Sequence, residues 1–169
     1  MIYIIFKIIN MNDTNISVDT SISFLYALFQ KHYGSLGGGA SPDEPIYGEL
    51  TLGSMNKIFT YLKDNCSLDE RSMFIDIGSG LGKPTLHCAN FCNCLVSIGI
   101  EIAKLRYLMS MQILLRGLQS ESIYTTGVSF INENIENAYT LDPFTHVYVF
   151  DDGFPPKTIA TLARQFNLR

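Results

Sequence analysis

The sequence has no excess of positive charge, no long apolar run and no internal repeat. Lysine and arginine number 12 against 16 acidic residues, a net charge of -4. That balance supplies no broad field to draw in nucleic acid, and no strong basic patch is expected. The most apolar stretch, Met1 to Asn10, is too short to span a membrane and carries Lys7 inside it rather than before it, so no membrane partner and no secretory signal are expected. This stretch reads either as an extra strand or as an extension upstream of a true start at Met11, with equal weight. Tryptophan is absent, histidine occurs three times and cysteine four. Four cysteines without a signal are no disulfide framework. His87, Cys88, Cys92 and Cys94 fit no common zinc spacing, so no metal is expected and the thiols read as buried and reduced, in a reducing compartment. His87 and His146 read as packed or surface histidines.

What the sequence does have is Met73-Phe74-Ile75-Asp76-Ile77-Gly78-Ser79-Gly80-Leu81-Gly82. An apolar strand with Asp76 near its end is followed by three glycines at alternate positions. A second apolar run, Val96 to Ile100, ends in Glu101. Glycines let the backbone turn sharply and approach a ligand where a Cβ would collide. The helix opening after Gly82 points free N–H groups outward, and Pro84 suits its first turn. Glu101, at a strand end, is placed to accept hydrogen bonds from two ribose hydroxyls. A nicotinamide site would carry G-x-G-x-x-G. The spacing here is G-x-G-x-G with an acid two residues ahead, which favours S-adenosyl-L-methionine (SAM). Asp76, Gly78, Gly80, Gly82 and Glu101 are the expected cofactor residues.

At 169 residues the chain is expected to form an α/β, Rossmann-like sheet of the class I methyltransferase type with N-terminal helices. The division is residues 1–45, an N-terminal extension and helix, and 46–169, the cofactor-binding part. Helical periodicity predicts helices over 20–33 and 51–64, with a glycine-rich loop at 34–45. Strands are predicted at 73–77, 95–101, near 122–126 and at 146–150, and helices to about 92, over 103–116 and from 156 onward. Four strands are expected where a full class I sheet has about seven, so one sheet edge would be bare. The chain therefore reads as C-terminally truncated or as a degenerate enzyme.

Ile46-Tyr47-Gly48-Glu49-Leu50, the glycine loop with Lys83, and Ile98-Gly99-Ile100-Glu101 resemble the disruptor-of-telomeric-silencing family, the non-SET histone-lysine methyltransferases, over roughly residues 45–166. The resemblance implies SAM as cofactor, methyl transfer to a lysine on a nucleosomal histone core, and a nuclear location; without it the location would read as cytoplasmic. It adds Glu49 to the cofactor residues. Gly127-Val128-Ser129-Phe130 is similar to the family's adenine segment without its acid, which puts Phe130 on the adenine. Where the family has Asn-Asn, this sequence has Phe150-Asp151 or Asp151-Asp152, depending on the alignment. Asp151 is the residue expected to orient the amine, and Tyr47 and Phe154 are expected to wall a channel. The alternatives are a class I methyltransferase with another protein or small-molecule acceptor, and a SAM-binding remnant without turnover.

Overall fold

A computed structural model describes residues 2–5, 20–35, 50–123 and 127–167. Its elements run β1 (Ile2–Ile5), α1 (Thr20–Ser35), α2 (Leu52–Cys66), β2 (Met73–Ile77), α3 (Lys83–Cys92), β3 (Val96–Glu101), α4 (Lys104–Gln119), β4 (Val128–Asn132), β5 (His146–Val149) and α5 (Pro156–Asn167). All strands are parallel, in the order β1-β5-β2-β3-β4. The sheet is the expected α/β, Rossmann-like one. Strand order reverses beside β2, which has its next strand β3 on one side and the last strand β5 on the other. In an open parallel sheet, ligands bind at such a switch point, beyond the carboxyl ends of the strands.

Strand periodicity splits the core in two. Phe74 and Tyr148 point to the side of α1, α2 and α3, where Leu25, Phe29, Met55, Phe59 and Leu86 close a core rich in aromatic rings. Ile75, Ile77, Val147 and Val149 point to the other side, against Ile135, Leu141 and Leu162 of α5. Both β1 and α1 precede residue 46, yet they pack into this same unit.

Two expectations are corrected. The strand placed near 122–126 lies at Val128–Asn132. The apolar Ile123 instead packs against Gly117 at the end of α4. Gly127 opens the strand because a Cβ there would sit 2.2 Å from the Leu95 carbonyl oxygen. The bare sheet edge beside β5 is also absent: β1 pairs along it, from Ile2 opposite His146 to Ile5 opposite Val149. Ile2–Ile5 of the N-terminal apolar run thus forms an extra strand. Among the described residues, no helix is long and apolar enough to cross a membrane.

Candidate functional site

Beyond the carboxyl ends of β2, β3 and β5 lies an open cavity of about 620 Å³. Small-molecule sites commonly span roughly 300–1,000 Å³. Gly78 and Ser79 form part of its floor. Gly78 has φ +76, and an added Cβ would meet the Phe154 ring at 2.6 Å. At Gly82, φ is +86 and an added Cβ would meet the Phe130 ring at 2.2 Å. Both positions therefore need glycine twice over, for backbone conformation and for ring packing.

Glu101 is almost fully buried and holds the loop from behind. Its Oε2 accepts the Gly80 N–H at 2.8 Å, and its Oε1 accepts the Ala103 N–H at 2.7 Å. Each carboxylate oxygen keeps a second lone pair. Asp76 is buried beside it and accepts the Thr85 hydroxyl at 2.9 Å and the Thr85 backbone N–H, tying the first turn of α3 to the strand. Burial pushes the Asp76 carboxyl up to about 7, with the nearby Glu101 charge adding to the rise and the Thr85 bonds opposing it. Burial also raises the Tyr148 phenol, again with a contribution from Asp76.

The loop amides are less free than the sequence suggests. Gly78 and Ser79 donate to the Ile100 carbonyl, Gly80 to Glu101, and Gly82 to the Ser79 carbonyl. The Ser79 hydroxyl, by contrast, is buried with no hydrogen-bond partner among the described residues. Lys83 is buried at the cavity wall, its Nζ donating to the Leu50 carbonyl at 3.0 Å and lying over the Tyr26 ring at 5.2 Å. Lys157 pairs with Glu136 at 2.7 Å on the rim. Five acids, Asp76, Glu101, Glu133, Glu136 and Asp152, line the cavity against three bases, Lys83, Arg106 and Lys157. The lining thus leans toward a ligand carrying positive charge.

The expected residues divide. Asp76, Gly78, Glu101 and Phe154 line the cavity, with Gly80 and Gly82 in the loop beneath. Tyr47 and Glu49 lie outside the described residues. Phe130 is corrected: it sits opposite Gly99 and points into the core under Gly82 and Gly99, so its ring backs the loop and does not line the cavity. Asp151 is corrected too. Its carbonyl accepts the Phe154 N–H at 2.9 Å in a tight turn, and Phe150, Asp152 and Phe154 line the wall in its place.

The sequence reading missed Ile102, Arg106, Glu133, Asn134 and Ile135, all of which line the cavity. Glu133 and Asn134 directly follow β4, whose last residue, Asn132, lies opposite Glu101 at the end of β3. Placing the strand too early hid them.

Solved structures share this architecture. A SAM-dependent methyltransferase from Geobacter sulfurreducens, in complex with S-adenosyl-L-homocysteine, superposes with a TM-score of 0.55 at 17% identity, covering 82% of this chain and 50% of that one. The magnesium protoporphyrin IX methyltransferase of Synechocystis PCC 6803, with bound SAM, gives a TM-score of 0.54 at 15% identity, covering 90% of this chain and 74% of that one. The chain spans about half the length of the first of these. No curated protein matches the sequence. The profile of the family described as histone methylation protein DOT1 matches residues 36–137, a span that takes in α2 through β4. More than half of the sequence lies in that match, so the chain belongs to the DOT1 histone-methylation family.

Proposed function

We propose that the cavity binds SAM and that the protein transfers its methyl group to a lysine amine of a histone. The observation that carries the cofactor reading is the pair of buried acids, Asp76 and Glu101, flanking the glycine loop at the switch point of the sheet. The residues fit the cofactor chemically. Glu101 has lone pairs left for two ribose hydroxyls. Ile102 and Ile135 supply apolar faces for a base, and Glu133 and Asn134 polar groups for its edge. The acidic lining suits a sulfonium and an ammonium. The solved neighbours crystallised with SAM or S-adenosyl-L-homocysteine support the same ligand class. The cofactor, when bound, supplies an activated methyl group.

The chain's own residues must then present a neutral amine to that methyl, about 3 Å away and in line. A lysine amine has an unperturbed pKa of roughly 10.4, and apolar surroundings lower it by disfavouring the charged form. Tyr148, Phe150 and Phe154 form an aromatic wall able to do this. Tyr47 is a further proposed wall residue and Glu49 a further cofactor contact, both from the family resemblance. The histone acceptor, the nucleosome as its setting and the nucleus as its location rest on family membership.

A second reading, cofactor binding without transfer, has one observation in its favour. Phe150 and Asp152 line the wall after β5, where the family's amide pair would stand. Labelled SAM incubated with the protein and reconstituted nucleosomes separates the two. Label in histone supports transfer to the proposed acceptor. Calorimetric SAM binding without label in any histone supports the second reading, and label in small amines or RNA alone moves the acceptor elsewhere. Folded protein that binds no SAM sinks both.

A further inference from the structure

At the other end of α3 from the glycine loop, three cysteines that the sequence scatters come together. Cys88 and Cys92 lie one helical turn apart on α3. Asn93 then adopts a left-handed conformation, φ 49 and ψ 41, and folds the chain back so that Cys94 returns to the same point. The Cys88 sulfur is 3.7 Å from that of Cys92 and 3.6 Å from that of Cys94, and all three sulfurs lie within 4.8 Å of one another. Cys88 and Cys94 are buried, whereas Cys92 is half-exposed and opens the cluster to solvent. None of the three lines the cofactor cavity.

We propose that Cys88, Cys92 and Cys94 form a three-thiolate site for one thiophilic metal ion of the zinc(II) or copper(I) class. The donor set is all sulfur, the choice of soft d-shell-filled cations. With metal–sulfur bonds of about 2.3 Å, the edge of a tetrahedral site is roughly 3.8 Å. The two short sulfur–sulfur distances match that edge without movement of the backbone. They are far from the roughly 2.05 Å of a disulfide, which would in any case leave one thiol over. Each thiol that ligates gives its proton to water, so three metal–sulfur bonds replace three S–H groups and no oxidant or reductant is consumed. A tetrahedral ion would take its fourth ligand from solvent, to which Cys92 is the most exposed of the three. The ion would fasten the last turn of α3 to the start of β3.

The test uses the full chain, reduced and stripped of metal, with cobalt(II) as the spectroscopic stand-in for zinc and chelator-buffered copper(I) in a parallel arm. The expected result is one equivalent of cobalt(II) with thiolate charge-transfer bands and tetrahedral ligand-field bands, displaced by zinc. Retention of copper(I) alone, at one equivalent, assigns the site to copper(I). Cys92→Ser, at the half-exposed position, removes the bands while SAM binding and circular dichroism stay as in the parent. Cys66→Ser leaves them intact. Folded, reduced protein that holds neither metal overturns the proposal, as do bands that survive unchanged in both Cys92→Ser and Cys94→Ser.

Discussion

The two faces of the central strands β2, β3 and β5 are built from different chemistry. One face carries Met73, Ile75 and Ile77, Val96, Ile98 and Ile100, Val147 and Val149, apolar throughout and aliphatic but for Met73. The other carries Phe74 and Asp76, Ser97, Gly99 and Glu101, His146 and Tyr148. Its buried polar groups are tied in. Asp76 accepts from Thr85, the Ser97 hydroxyl donates to the Thr85 carbonyl at 2.7 Å, and His146 Nε2 meets the Cys66 carbonyl at 3.0 Å. The aliphatic face needs volume; the mixed face needs particular atoms at particular places, because an unpaired buried polar group is costly. The two strand side chains that tie down the cofactor loop and the helix after it, Glu101 and Asp76, both belong to the mixed face.

The largest break in this comparison is Phe74→Ala. Phe74 is buried against Phe59, with ring centroids 5.6 Å apart, and against Tyr148. The substitution should cost about 3–5 kcal/mol of stability, read as a fall in urea midpoint. A loss below about 1 kcal/mol would show that the aromatic core repacks freely.

Asp76 gives the next effect, and its sign follows from protonation. Its folded carboxyl is raised from 3.8 to about 7, so the native state holds a proton that the unfolded chain has released. The stability from that proton is complete below pH 3.8 and is lost as pH rises through about 7. A shift of this size corresponds to at most about 4 kcal/mol. The cofactor-free protein should therefore weaken between those limits, and Asp76→Asn, which keeps an acceptor for Thr85, should flatten the profile. Parallel profiles for the two proteins would mean that the buried carboxyl is ionised throughout.

Glu101→Ala should weaken SAM binding by roughly 1.5–3 kcal/mol, the worth of a charged hydrogen-bonding pair. Glu101→Gln, which retains one acceptor oxygen, should fall between. Titration calorimetry reads both, and equal affinity for all three proteins would remove the ribose assignment. The smallest effect belongs to the aliphatic face: Ile75→Val, buried and away from the cavity lining, should cost about 0.5–1.5 kcal/mol and leave SAM affinity alone.

These contrasts also explain what the sequence could disclose. The β2–loop–α3–β3 segment was legible because every signal agreed: a short apolar run, glycines where φ is positive, Pro84 in the first helical turn, and an acid at each strand end. The position of β4 was not, because Ile123 looks like a strand residue and is a helix-packing one. Phe130 and Asp151 failed for a related reason. One residue of register decides which face a ring joins, and the Asp151 turn is held by its backbone, which sequence pattern does not report. The cysteines were set aside on spacing alone, because a linear motif does not record the left-handed Asn93 that returns Cys94 to Cys88.

The pairing of β1 with β5 also sets an order of events. Ile2 lies opposite His146, almost the whole chain apart, whereas β2 and β3 are joined by one short helix. In synthesis, β1 must wait for β5 to be made. Contacts so distant in sequence close slowly, because loop entropy is lost before they form. Until then β5's outer edge is an open template for another chain. The expected consequence is a folding reaction in which the cofactor loop is organised early and the sheet is sealed last, with aggregation competing in the interval.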